Sequence, residues 1–330
     1  MSVTDRGWDM GVLVYGAGGV GLYLAARLAS AGEPVTVKGR PATVRAAAGG
    51  GVEIRNENNT EVVSNVEFVD DLAGRRFDFA IVATKSWQVE EAAAEIAPAL
   101  EPGGRVLTTQ NGVDAPARAA AHVPSDAVYG GTVVVIVRRV APLAVRLVGS
   151  EARVVLGSLR HSEPDAAGLR LVEVLRRAGA DARWTEDVRT ALWRKLALIA
   201  SYGGVGALAD APVGRTRSVR PTRDLVERAM REVIAVGNRS GARLGEDDLA
   251  EILDVYEHGF APETTASLQR DLRAGRPSEL ADQSGAVVRH ATALGIPVPV
   301  HELIWATQLP RELAAREERS DVGPGPVVEP

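Results

Sequence analysis

An α/β domain with a parallel, doubly wound sheet, followed by an all-helical domain, is the fold class this sequence predicts. Three observations carry that expectation. A short apolar run, Val12 to Tyr15, ends in glycines and passes straight into a helical pattern. Strand-like and helix-like segments then alternate through the first half of the chain. After Asp187 the strand patterns stop and amphipathic segments follow one another. The chain has 330 residues and is 45% hydrophobic, enough to bury two cores.

In order, Val12 to Tyr15 is a buried strand, and Val20 to Ala31 a helix closed by Gly32. Pro34 to Val37 is a second strand. The Asn-rich stretch Asn56 to Thr60 is a hairpin or loop. Phe77 to Thr84 is a strand, Trp87 to Leu100 a helix, and Arg105 to Gln110 another strand. Val128 to Val140, Ala144 to Val148 and Arg153 to Leu156 are read as further strands. Helices are expected over Val188 to Ala209, Pro221 to Ser240, Asp247 to Tyr256, Pro262 to Arg273 and Ser278 to Leu294. The expected organisation is a nucleotide-binding domain over 10–186, a helical domain over 187–310, and a disordered, charged and Gly/Pro-rich tail over 311–330.

The net charge of −5 argues against nucleic acid as a partner. The chain has no cysteine, which excludes disulfides, thiolate catalysis and Cys-based metal sites. The five histidines fall in no metal-binding spacing, so no metal site is expected. Met1 to Met10 carries Asp5 and Asp9 and is not expected to be a signal peptide. No uncharged apolar run approaches the ~18 residues of a membrane span, and a cytoplasmic protein is expected. Among the cations only Lys38, Lys85 and Lys195 are lysines, against 35 arginines. Where arginine serves as the general surface cation, a lysine marks a position where a compact ammonium with a tunable pKa matters, unless it is a chance survivor of biased composition.

Gly16-Ala17-Gly18-Gly19-Val20-Gly21 fits G-x-G-x-x-G in the strand-to-helix context that gives the pattern meaning. Gly16 permits the tight turn, Gly18 lets the backbone approach a pyrophosphate, and Gly21 allows close helix–sheet packing. The helix N-terminus then faces the anion. After the second strand the chain reads Lys38-Gly39-Arg40, where an acid would select NAD through the ribose 2′-hydroxyl. Two cations there suit a 2′-phosphate, so NADP(H) is the expected cofactor. A glycine-rich turn and a solvated Lys/Arg turn are the plain alternatives.

Further along come Thr84-Lys85-Ser86-Trp87-Gln88, Gln110-Asn111-Gly112, Leu192-Trp193-Arg194-Lys195-Leu196, Ser267-Leu268-Gln269-Arg270-Asp271, Gly275-Arg276-Pro277-Ser278-Glu279 and Gly295-Ile296-Pro297-Val298-Pro299. In this order and spacing the chain resembles the ketopantoate reductases (2-dehydropantoate 2-reductases) from Val12 to about Leu309. The resemblance implies an N-terminal Rossmann domain, a helical C-terminal domain, and hydride transfer from NADPH to the ketone of a 2-oxo acid. By the same resemblance, Lys195 matches the proton donor and Glu279 a site carboxylate. Lys85 and Asn111 match residues lining the nicotinamide and substrate region, Ser267 a substrate ligand, and Arg40 the residue holding the 2′-phosphate. The backbone near Val135 aligns with another cofactor contact. General chemistry agrees, because hydride addition develops negative charge on oxygen and a nearby ammonium both stabilises that charge and supplies the proton. The structural alternatives are a solvated helix cation at Lys195 and a helix-start acid at Glu279, with Ser278 as its cap.

The resemblance breaks at the substrate wall. Ketopantoate reductases carry asparagines four and eight residues after the donor lysine, and here these positions are Ile199 and Gly203. Helical spacing puts Lys195, Ile199 and Gly203 on one stripe with Tyr202 beside it, apolar at Ile199 and open at Gly203. Two further family asparagines correspond to Val213 and Thr264. The expected activity is NADPH-dependent reduction of a 2-oxo acid or related carbonyl compound other than ketopantoate. Ketopantoate reduction itself and a redox-inactive NADP-binding sensor are the alternatives. The expected partner is a small-molecule carbonyl substrate, with a homodimer also allowed.

Overall fold

The computed structural model describes residues 11–320. It divides into two compact units. The first comprises the chain up to Gln110 together with Ala115–Val188, and the second comprises Asn111–Asp114 and the chain from Arg189 onward. A four-residue segment of the first half thus belongs structurally to the second.

The first unit runs β1 (Val12–Tyr15), α1 (Gly19–Ser30), β2 (Val35–Lys38), α2 (Pro41–Ala47), β3 (Val52–Arg55), β4 (Thr60–Val63), β5 (Val66–Val69), β6 (Phe77–Val82), α3 (Val89–Ile96), β7 (Leu100–Thr108), α4 (Ala115–Ala119), β8 (Val128–Ala141), β9 (Ala144–Ser158), α5 (Ala166–Arg177) and β10 (Asp181–Trp184). These strands form one ten-stranded sheet in the order β4-β3-β9-β8-β7-β6-β1-β2-β5, with β10 beside β9. β1 lies between β2 and β6, parallel to both, so the chain reverses its direction of travel across the sheet at β1. That is the position at which open α/β sheets bind ligands.

β1 shows why the run is apolar without interruption. Val12 and Val14 pack with α1 and α5, whereas Leu13 and Tyr15 pack with α3 and α4 on the opposite face. A strand buried on both faces has no polar position to alternate with. The sheet is mixed rather than wholly parallel. β8 and β9 pair antiparallel, as do β3 and β4, whose turn is closed by the Asn56 side chain accepting from the Asn58 and Asn59 amides. The two strands expected over 144–156 are one strand, β9. Its register with β8 jumps from Val134↔Arg153 to Ile136↔Val148, with Gly149 at φ 78 in the excursion.

The second unit is helical: α6 (Val188–Ala209), α7 (Val213–Ser218), α8 (Arg220–Arg239), α9 (Glu246–His258), α10 (Ser267–Arg273), α11 (Ser284–Leu294) and α12 (Pro299–Ser320). α8 is amphipathic in the ordinary way, burying Val226, Ala229, Met230, Val233 and Val236 at helical spacing. The single helix expected over 278–294 is instead a 3₁₀ turn, Leu280–Asp282, followed by α11. The tail expected to be disordered from Arg311 is helical through Ser320, and 321–330 lie outside the described residues. The reason is a polar buried stripe. α12 buries Val300, Ile304, Gln308, Glu312 and Ala315, and the two polar members break the apolar periodicity that would announce a helix. Among the described residues no helix is long and apolar enough to cross a membrane.

Candidate active site

In the first unit, the chain leaves β1 through Gly16 at φ 117, a conformation that favours glycine. A Cβ there would stand 3.0 Å from the Ala83 carbonyl and the Thr84 nitrogen. At Gly21 a Cβ would fall 1.9 Å from the Gly16 oxygen, so helix and turn meet only because both residues are glycine. At Gly18 the nearest atom would be 3.9 Å away, which leaves that backbone approachable. α1 starts after Gly18 with no side-chain cap and no acid in its first turn. Its leading N–H groups, on Gly19, Val20 and Gly21, therefore have no side-chain acceptor, and an anion suits that end of the helix. The cradle fits a dinucleotide pyrophosphate on this chain's own geometry.

The cations that the sequence assigns to the cofactor are placed differently from one another. Lys38, at the end of β2, pairs with Glu95 at 3.3 Å and sits 5.5 Å from the Tyr15 ring. Arg40 is exposed immediately before α2, which opens with Pro41. Lys85 precedes the 3₁₀ turn Ser86–Gln88, with its ammonium 5.9 Å from the Trp87 ring. Val135 is one of two β8 residues, with Val140, that the register with β9 skips. Sequence reasoning missed Arg139 on β8, whose guanidinium donates to the Ala17 carbonyl of the glycine loop at 3.4 Å. Nothing in its local sequence signals that approach, which depends on how far the long β8 strand reaches.

In the second unit, Lys195 stands on α6, half-buried. Burial lowers its pKa from 10.5 to about 8, and the negative charge of Glu279 opposes that shift. Glu279 is buried and precedes the 3₁₀ turn. Its Oε2 accepts from the Asn111 Nδ2 at 3.1 Å. Three residues, 195, 279 and 111, are thus brought into one electrostatic group from three separate stretches of chain.

The segment bearing Asn111 is held on both sides. Gln110, at the end of the first unit, donates to the Val82 and Thr84 carbonyls at 2.8 and 3.1 Å. Gly112 takes φ 131, and a Cβ there would lie 2.7 Å from the Asp282 carbonyl oxygen. Asp114 accepts from Arg289 at 3.1 Å and pairs with the His290 ring at 2.8 Å. Burial alone would raise its pKa, but the His290 hydrogen bond and charge, with Arg289, hold it below the usual carboxylate value.

The substrate wall departs from expectation at Gly203. A Cβ there would meet the Ala266 side chain at 2.8 Å, so the glycine admits the start of α10 rather than leaving open space. At the next residue, Gly204, a Cβ would lie 2.7 Å from the Ile304 side chain on α12. Close packing at Ala266 sets the following residue, Ser267, at the first turn of α10 beside this stretch of α6. Ile199 is half-buried one turn beyond Lys195. Tyr202 packs its ring 5.0 Å from Phe260, and burial pushes its hydroxyl up to about 12 against the positive charge of Arg270. Val213 is buried and donates its N–H to the Thr264 carbonyl at 2.9 Å. Neither position offers an amide side chain.

The family "Ketopantoate reductase PanE/ApbA" matches residues 12–161, and its C-terminal domain matches residues 187–309. The chain belongs to the ketopantoate reductase family. It is 30% identical to the 2-dehydropantoate 2-reductase of Mycobacterium tuberculosis over 301 residues, covering 89% of this chain and 95% of that protein. The crystal structure of a PanE/ApbA family ketopantoate reductase from Ralstonia eutropha superimposes with a TM-score of 0.83 at 30% identity, covering 93% of this chain and all of the other. A ternary structure of D-mandelate dehydrogenase with NADH and anilino(oxo)acetate has a TM-score of 0.84, covering 93% and 99%, but at 19% identity it speaks to the fold alone. This family member is accordingly an oxidoreductase, a nicotinamide-dependent reductase of 2-oxo acids.

Proposed function

We propose that this chain reduces, with NADPH, a 2-oxo acid whose side chain is bulkier and less polar than that of ketopantoate. The proposal for the chemistry is carried by Lys195, an ammonium whose pKa of about 8 keeps it protonated at neutral pH yet ready to give the proton up. The nicotinamide supplies the hydride when bound. Lys195 stabilises the developing alkoxide and delivers its proton to that oxygen. Glu279 keeps Lys195 charged until the transfer, and Asn111 orients Glu279. A phosphate-cradling glycine loop and Arg40 hold the cofactor, with Arg40 selecting NADPH over NADH. Lys85 and the Val135 backbone complete the cofactor contacts, and Ser267 receives the substrate.

The proposal for the substrate rests on Ile199, which stands where the family presents an amide, and on the Tyr202–Phe260 aromatic pair, whose Tyr202 lies beside the same stripe of α6. A side chain without hydrogen-bonding groups gains by burial against such a wall, and a polar one is left unpaired. A protein of this fold is named for D-mandelate, a 2-hydroxy acid that bears a phenyl ring. The curated relatives named 2-dehydropantoate 2-reductases favour ketopantoate as the competing substrate. Steady-state kinetics with ketopantoate and with phenylglyoxylate as the aryl probe separate the two. A kcat/KM for phenylglyoxylate at least about tenfold above that for ketopantoate is expected. A ketopantoate value on the order of 10⁴ M⁻¹s⁻¹ or above would return the chain to that activity.

A further inference from the structure

Glu312 is a carboxylate placed where carboxylates are rarely found. It lies on α12 with 2% of its surface exposed. Its two oxygens accept the Ser278 amide N–H at 3.1 and 2.9 Å, and one of them accepts the Ser278 hydroxyl at 2.5 Å. Arg316, one turn further along α12, donates to Glu312 at 2.7 Å and reaches the Ser278 carbonyl at 3.4 Å. The Ser278 hydroxyl in turn accepts the Leu280 amide at 3.3 Å. Every polar group of Ser278, itself fully buried, is therefore engaged.

Burying an ion pair is a poor way to gain stability, because desolvation offsets the attraction and an apolar pair often does as well. What this pair does specifically is fix one residue, and the next residue is Glu279. On the far side the Glu279 carbonyl accepts the Asp282 and Gln283 amides at 3.1 and 3.0 Å. The backbone of Glu279 is held from both directions. Only its side-chain torsions remain, and the Asn111 contact restricts those.

We infer that Glu312, with Arg316, is a positioning residue that acts through Ser278 to hold the Glu279 carboxylate against Lys195. The inference rests on the assignment of Lys195 and Glu279 as the proton-transfer pair. The charge of Glu279 acts on Lys195, Glu279 accepts from Asn111, and Arg316 pairs with Glu312.

The test reads the Lys195 ammonium directly in the full-length protein without substrate. Only three lysines exist, so ¹³Cε-lysine NMR gives three resonances that Lys38→Arg and Lys85→Arg assign. The parent Lys195 is expected to titrate near pH 8. Loosening Glu279 removes the counter-charge that keeps the proton on, so the midpoint must fall. Glu312→Ala lowers it by about 0.5–1 unit, as does the milder Ser278→Ala, and Glu279→Gln lowers it at least as far. Glu312→Gln keeps an acceptor for Ser278 and recovers part of the shift. In the Glu279→Gln background, Glu312→Ala adds nothing further. A melting temperature that falls in both Glu312→Ala and Ser278→Ala, with the Lys195 midpoint unmoved, overturns the inference and leaves Glu312 a structural residue. A parent midpoint near 10.5, or one insensitive to Glu279→Gln, instead removes the Lys195–Glu279 assignment and the inference with it.

Discussion

The proposed nucleotide-binding cradle is assembled within six consecutive residues, Gly16 to Gly21, and its parts are backbone groups left open by the absence of side chains. The Lys195 group takes side chains from α6, from the segment after Gln110 and from the turn before α11. The first depends on local steric permission. The second depends on packing across the helical unit: Gly112 against Asp282, Asp114 against α11, and α12 behind Ser278. Damage to the cradle should appear as lost cofactor affinity. Damage to the Lys195 group should appear as lost turnover with the cofactor still bound.

The largest expected effect divides the two regions most cleanly. Lys195→Ala should lower kcat by about 10²-fold or more and leave NADPH affinity, measured by fluorescence titration, within about twofold. Lys195→Arg should not recover activity, because a guanidinium does not release its proton near neutral pH. An active arginine variant would take the acid role away from Lys195.

Arg40→Ala should do the reverse. NADPH affinity should weaken on the order of 10- to 100-fold, the size of a lost charge-assisted contact. NADH affinity and saturated kcat should hold. Equal loss for both cofactors would show that Arg40 does not read the 2′-phosphate.

The pH profile tests the second region alone. As the proposed acid, Lys195 must be protonated, and burial brings its pKa down to about 8. Reduction should therefore be flat below about pH 8 and fall about tenfold per unit above it, while NADPH binding should show no break there. A profile unchanged to pH 10 would argue against Lys195 as donor.

The smallest effect concerns the wall. Ile199→Asn should raise kcat/KM for ketopantoate several-fold by returning an amide beside the donor. Gly203→Asn should not, because its Cβ meets Ala266 at 2.8 Å. It should cost about 1–3 kcal/mol of stability, visible as a lower melting temperature. An equally stable Gly203→Asn protein would show that α10 gives way easily.

Much of the fold is legible in the residues alone. β1, α1, α6 and α8 announce themselves through apolar runs and helical periodicity, because burial and geometry there are repetitive. α12 is not legible as a helix, since Gln308 and Glu312 occupy positions where apolar residues would mark one. Of the candidate site, the glycine loop is readable by spacing and context. Lys195, Glu279 and Asn111 are readable only as matches to a family. No periodicity connects residues that lie 168 apart and meet at 3.1 Å.

The sequence by itself determined the elements whose physics is local: a strand too apolar to face water, a turn that needs glycine at φ 117, and helices with one apolar stripe. It also determined the inventory, with three lysines among many arginines and no thiol. Tertiary structure decided what the inventory is for. It turned Lys38 onto Glu95 and Tyr15, closed the space at Gly203 with Ala266, and buried Glu312 behind Ser278. It also desolvated Lys195 beside Glu279, lowering the pKa to about 8. These outcomes depend on which distant side chains meet and how much water they exclude, and neither property is written in the spacing of residues along the chain.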